Sequence, residues 1–146
     1  MPTLLPLLLT LLAGIGLAVQ APTNAGLARA GGSVVLASLV SFAVGTAALL
    51  VAWAAIDRTP PAALREAPGW AWFGGLYGAG FVAAMAFAVP RLGLAVTLTV
   101  AIASQLVAAL LLDRFGLLGL PRVPISASRL LGSALVIAGV VLARRG

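Results

Sequence analysis

The sequence predicts an all-α integral membrane protein with five transmembrane helices, and three observations carry that reading. The 146-residue chain is 62% hydrophobic and 8% charged, with a mean hydropathy of +1.18, whereas soluble domains carry about 25% charged residues. Its nine basic and three acidic residues sit between apolar runs, the one intrusion being Arg129 in the first turn of the last run. Each run is about 17 to 24 residues long, which suits a hydrocarbon core of about 30 Å. In lipid every backbone polar group needs an internal partner, so runs of this kind fold as helices.

The spans are read as about 3–20, 33–56, 70–89, 92–112 and 126–143, within a single domain over residues 1–146. Span 1 tolerates Pro6 because its missing N–H falls in the first turn. It lacks the basic start of a signal peptide, and Pro22 directly after Ala21 is a poor cleavage context, so it is expected to be retained. Its helix can continue past Pro22 toward Arg29, until Gly31-Gly32 breaks it. Span 2 starts on Ser33, an N-cap residue. The Asp57–Gly69 gap is the most polar stretch, with turn chemistry in Thr59-Pro60-Pro61 and Pro68-Gly69. Trp70 and Trp72 open span 3 as an interfacial aromatic belt. Pro90-Arg91 is a tight connection to span 4, and a Gly/Pro loop from Asp113 to Arg122 follows it. Span 5 is apolar all round from Leu130 to Leu142, unlike a surface helix, which would show a polar face. Small residues recur at helical spacing, as Gly74-xxx-Gly78 and Gly80-xxx-Ala84 in span 3 and Ala37-xxx-Ser41-xxx-Gly45 in span 2. Such ridges let helices approach closely in lipid.

Composition excludes several functions. With no Cys there are no disulfides, thiol nucleophiles or thiolate metal sites, and with no His the usual metal ligand is missing. No hydrolytic triad, paired carboxylates, phosphate loop or metal-ligand spacing is present, so no enzyme, catalytic residue, metal site or cofactor is expected. The arginines are scattered at span ends, where they meet anionic lipid, and form no nucleic-acid patch. The excess of Ala, Gly, Arg and Pro over Lys fits a GC-rich bacterial genome.

An odd span number places the termini on opposite faces. One face then holds Arg58, Arg65, Arg114, Arg122 and Arg129, and the other Arg29, Arg91, Arg144 and Arg145. The positive-inside rule orients a protein by this difference, and five against four is almost no instruction. Dual topology follows as the expectation: two oppositely inserted copies in an antiparallel homodimer, or an orientation set by a homologous partner chain. Such a pair reproduces the inverted repeats of many transporters, whose sites lie at the repeat interface.

The polar inventory inside the spans is short. Gln20 and Asn24 are four apart, share a helix face and flank Pro22, which frees a backbone carbonyl nearby. Amides beside freed carbonyls can bind a polar or cationic solute, or can tie helices together by hydrogen bonds. Span 4 offers Ser104 and Gln105, with Thr97, Ala101, Ser104 and Ala108 forming a weakly polar stripe. Gln105 is the bulkiest polar group at mid-membrane and must face protein or water. Its two readings are lumen lining and interhelical bonding. Ser38, Ser41 and Thr46 in span 2 can bond to their own helix. Tyr77 is a candidate lining aromatic. Arg91, with no acid near it in sequence, has two readings, attraction of an anion and, preferred, a cap on the end of helix 3 that meets lipid phosphate.

Taken together and in order, several segments resemble the YdcZ family of the drug/metabolite transporter superfamily, over nearly the whole chain. They are Leu17-Ala-Val-Gln20 with Asn24, the stretch from Ala37 to Thr46, Trp70-Ala-Trp72 with Gly74-Gly75, and Val89-Pro-Arg-Leu-Gly93. Ser104-Gln105, Asp113 to Gly119, Gly132 and Ala138-Gly139 complete the pattern. The resemblance implies a five-span bacterial inner-membrane exporter subunit, paired as an antiparallel dimer that resembles a ten-helix transporter of the superfamily. A small polar or amphipathic solute would cross by alternating access through an interface cavity lined by Gln20, Asn24, Tyr77, Ser104 and Gln105. Small multidrug exporters of that superfamily carry an acid in span 1, where this chain has Gln20 as its nearest polar group. Proton coupling through an embedded acid is therefore not expected, and exchange or facilitated diffusion is the simpler mechanism. Two other readings remain: a non-transporting assembly or regulatory subunit, which requires dry packing around Gln105, and an ion channel, which requires a continuous pore.

Overall fold

The structure, a computed structural model, describes residues 3–143. It is helical, with no strand among the described residues. Four helical segments are long and apolar enough to cross a membrane, Leu4–Gly31, Val34–Asp57, Gly69–Leu92 and Leu94–Phe115, and a shorter apolar helix follows. The chain divides into two compact units, Met1–Arg91 and Leu92–Gly146.

In the first unit, α1 (Leu4–Gly31) runs through Pro22 without ending. A proline inside a helix removes one i→i−4 hydrogen bond, so the Ala18 carbonyl loses its helical donor. The helix stops where Gly32 takes the left-handed conformation, φ 67°, which glycine adopts without steric cost. That is the break expected of Gly31-Gly32. α2 (Val34–Ala52) begins on Ser33, whose hydroxyl accepts the Leu36 amide at 3.1 Å. Its last turn widens into a π-helical turn, Trp53–Asp57. Arg58 closes it at φ 57° by donating its amide to the Trp53 carbonyl at 2.8 Å, while the Trp53 indole donates to the Thr59 carbonyl at 2.9 Å. The Trp70-Ala-Trp72 segment is not the α-helical start of span 3. It forms a 3-10 turn, Gly69–Phe73, and α3 (Gly74–Leu92) follows. Pro68 and Gly69 explain the difference: proline disfavours helix in the residue before it, and glycine is the weakest helix former after proline.

α1 and α2 pack together on small residues, with Ala21, Ala25 and Ala37 buried. α3 meets α2 where Gly78 faces Phe42; a Cβ there would lie 3.3 Å from the Phe42 ring. Gly74, Gly75 and Gly80 have nothing within 4 Å of a Cβ position, so most of the small-residue ridge on α3 lies open. Leucines along α1, including Leu5, Leu8 and Leu12, are exposed, as befits a surface solvated by acyl chains.

In the second unit, α4 (Leu94–Phe115) and α5 (Ala127–Ala143) pack against each other. Gly116 ends α4 at φ 63°, and the Val123 amide donates to the Asp113 carbonyl at 2.8 Å, folding the connection back on the helix end. Ser126 caps α5 by accepting the Arg129 amide at 3.3 Å. α5 spans 17 residues, about 25 Å at 1.5 Å per residue.

Gly116 is the residue of this hairpin least able to change. A Cβ on it would sit 2.6 Å from Arg122 Cγ and 3.1 Å from the Leu120 carbonyl oxygen, and left-handed backbone costs a side-chain-bearing residue about 1–2 kcal/mol. Gly116→Val is expected to lower the unfolding temperature in detergent by several degrees, measured by tryptophan fluorescence. Gly14→Ala, with open space around it, should leave that temperature unchanged or raise it; equal losses in both would refute the assignment.

Candidate functional site

Polar residues of the first unit gather along one side of α1. Gln20 lines a groove against α2 together with Ser41, Phe42, Gly45, Thr46 and Leu49, with a volume of about 180 Å³. Ser38 follows the expected self-bonding pattern and donates to the Val34 carbonyl at 2.9 Å. Ser41 and Thr46 depart from it: among the described residues neither hydroxyl bonds to its own helix, and both face the groove that Gln20 lines. The sequence signal for this pairing was the Ala37-xxx-Ser41-xxx-Gly45 ridge, since a ridge that lets α1 approach also brings the Gln20 amide within range.

Asn24, one turn further along the same face of α1, is only 3% exposed. Among the described residues its amide makes no hydrogen bond, although none of its polar atoms is fully sealed from the surroundings. A buried amide without a partner costs about 1–3 kcal/mol by protein mutational measures, and most buried side-chain polar atoms are satisfied. The Asn24 amide atoms keep contact with the surroundings, so water or another polar group can reach them. Its neighbour Thr23 is satisfied by the Val19 carbonyl at 2.8 Å, so the freed helix carbonyl near Pro22 stays with Ala18.

The other candidates are placed differently. Tyr77 on α3 is 70% exposed. Ser104 and Gln105 belong to the second unit, both exposed on α4. The Ser104 hydroxyl is committed to the Ala101 carbonyl at 2.8 Å, while Gln105 makes no hydrogen bond among the described residues. Thr97, at the start of the same stripe, is buried and bonds to the Gly93 carbonyl at 2.8 Å. Both hydroxyls of the stripe are thus satisfied by their own helix, whereas Gln105 beside it is not.

Sequence reading missed one link. Arg129 on α5 forms an ion pair with Asp113 at the end of α4, 3.0 Å apart, with side chains 43% and 33% exposed. Opposite charges at facing ends of two consecutive helices were the available signal. The pair stands at the mouth of a groove between α4 and α5 of about 470 Å³, lined otherwise by apolar groups such as Leu106, Leu110 and Val136 and by the buried Ser133. At that exposure it contributes under about 1 kcal/mol and serves mainly to set the register of the hairpin. Among the described residues no group of three metal-ligating side chains occurs.

Arg91 is held as the sequence suggested. Its guanidinium donates to the Phe87 carbonyl of its own last turn and lies over the Phe87 ring, 3.5 Å from the centroid.

Neither a curated protein nor a solved structure matches the chain. A family does: the one described as "Putative inner membrane exporter, YdcZ" matches residues 5–142. That range takes in every described helix but the first residue of α1 and the last of α5, and it agrees with the apolar, multi-pass character seen in the fold. The chain belongs to the YdcZ family of inner-membrane exporters, within the drug/metabolite transporter group.

Proposed function

We propose that this protein is the subunit of a dimeric exporter in which a small polar or amphipathic solute is held beside the Gln20–Asn24 face of α1 and released by alternating access. The observation that carries the reading is Asn24, largely buried as a residue yet with amide atoms that stay accessible and make no hydrogen bond among the described residues. A solute hydroxyl, amine or carbonyl, or the water it displaces, supplies the missing bond. Gln20, Ser41 and Thr46 extend the same surface by one to two turns.

The dimer is antiparallel, with five spans per copy. α5 counts as a span because Leu130, Leu131, Leu135 and Leu142 are all exposed on it, and only lipid or another helix can cover so much apolar surface. The open glycine edge of α3 and the exposed Gln105 on α4 are the features a second copy would cover. Inverted-repeat transporters bind their solutes at such interfaces, and Gln20, Asn24 and Tyr77 in the first unit and, separately, Ser104 and Gln105 in the second are the polar groups available to one. Of the three acids, Asp57 and Asp113 stand in the last turns of their long apolar segments and Glu66 lies in the loop between α2 and α3, so none stands midway along a span. Movement therefore follows the solute gradient.

Flux into proteoliposomes, screened over cations, anions and neutral metabolites with and without a proton gradient, tests the reading. At least one solute class should move at a rate indifferent to the gradient, and Asn24→Leu should reduce that rate about tenfold or more, the equivalent of one lost hydrogen bond of about 1.5 kcal/mol. A gradient-driven flux would overturn the uncoupled mechanism. Full flux in Asn24→Leu would remove Asn24 from the site.

A further inference from the structure

A second cavity in the first unit has a different chemistry. It measures about 360 Å³ and is lined by Ala25, Arg29, Val34, Ala86, Pro90 and Arg91, among others. That volume lies within the roughly 300–1,000 Å³ of small-molecule sites. Arg29 and Arg91 are far apart in sequence, yet the last turns of α1 and α3 bring both to one space, at the end where α2 begins. Small side chains around them leave the space open.

We propose that this cavity is a binding site for a phosphate group, gripped by Arg29 and Arg91. It is distinct from the solute surface proposed on α1 and α2 and holds whether or not that surface transports anything.

The charge balance decides the sign of the ligand. Neither arginine has a carboxylate partner among the described residues, where Asp113–Arg129 is the one ion pair. The first unit's acids, Asp57 and Glu66, lie beyond the far end of α2; Val34 to Asp57 is about 34 Å of helix. Helix ends contribute partial charges of about half a unit each. The carboxyl ends of α1 and α3 together give about −1 and the amino end of α2 about +0.5, against +2 from the guanidiniums. The cavity therefore stays strongly positive.

The donors are also in place. The Leu36 amide is taken by Ser33 Oγ, and the first backbone bond of α2 runs from Ala37 to the Ser33 carbonyl. The amides of Val34 and Val35 precede it and have no helical acceptor, and Val34 lines the cavity. Arg91 is fixed by the Phe87 ring and carbonyl, which commits one of its five N–H groups and leaves the rest to a ligand. Two guanidinium forks and a helix amino end suit a phosphate, with its several acceptor oxygens, better than a single carboxylate.

That phosphate can belong to a phospholipid headgroup, since span ends lie at headgroup depth, or to a soluble phosphate species. The full chain, purified in maltoside detergent, is treated with the arginine reagent phenylglyoxal, and modification is followed peptide by peptide by mass spectrometry. One arm adds inorganic phosphate and the other phosphatidylglycerol in mixed micelles. Slower modification of Arg29 and Arg91, with Arg58 and Arg65 unaffected, is expected in at least one arm. Protection by phosphate identifies a soluble ligand; protection by phosphatidylglycerol alone identifies a lipid site. Independently, R29Q/R91Q should weaken binding of the protecting probe at least about tenfold, while R58Q/R65Q leaves it unchanged. No protection in either arm, equal protection of Arg58 and Arg65, or full affinity in R29Q/R91Q would overturn the proposal.

Discussion

Replacing Gln105 by Leu is expected to lower solute flux and to leave the proposed dimer intact. Gln105 stands midway along the 22 residues of α4, exposed and, among the described residues, without a hydrogen bond. An unpaired amide in hydrocarbon costs energy that only water, a solute or another helix can offset. If the amide lines a wet cavity, leucine of similar size removes a hydrogen bond to the solute and lowers flux about tenfold or more. Dimerisation is then unchanged or strengthened, because an apolar side chain tolerates lipid better. If the amide is instead a bond between helices, Gln105→Leu loosens the dimer, and cross-linking or size analysis in detergent shows a monomer. Flux measured beside oligomeric state separates the two outcomes, and loss of the dimer refutes the cavity role.

A reporter fused to the C-terminus is expected to give signal on both sides of the membrane. Five arginines against four leave orientation almost undetermined, and the proposed antiparallel dimer needs both orientations. Ala62→Arg with Ala63→Arg, in the exposed 3-10 turn Pro61–Glu66, raises the excess to three and should collapse the signal to one compartment. Flux then falls to background, because no oppositely inserted copy remains. Co-expression with Arg58→Gln/Arg65→Gln/Arg114→Gln, biased the other way, should restore it. A single-sided signal in the unmodified chain would rule out dual topology, and undiminished flux in the Ala62/Ala63 variant would rule out the antiparallel pair.

The fold was legible in the sequence because the bilayer reads a property that survives without tertiary contacts. Apolar length decides which segments become helices, and Ser33, Gly32 and Gly116 act within one turn of their own position. Where local chemistry competed, the outcome shifted. Pro68 and Gly69 turn the expected start of span 3 into a 3-10 turn, and the end of α2 widens to a π-helical turn around Trp53.

The candidate site was legible only in part. Gln20 and Asn24 share a face by helical periodicity alone, so their proximity needed no structure. That Asn24 is largely buried with no hydrogen bond among the described residues, while Ser104 satisfies itself and Tyr77 stands exposed, depends on which neighbours each face meets, and no spacing rule encodes that. The same holds for charge. The sequence determined that the arginines and acids fall between or at the ends of the apolar runs, which marks a membrane protein. Only the tertiary structure decided which of those ends meet: Asp113 with Arg129 in an ion pair, and Arg29 with Arg91 around a cavity where neither has a carboxylate partner among the described residues. Insertion depends on the hydropathy of each segment taken singly, whereas the pairing of charges depends on which helices pack side by side.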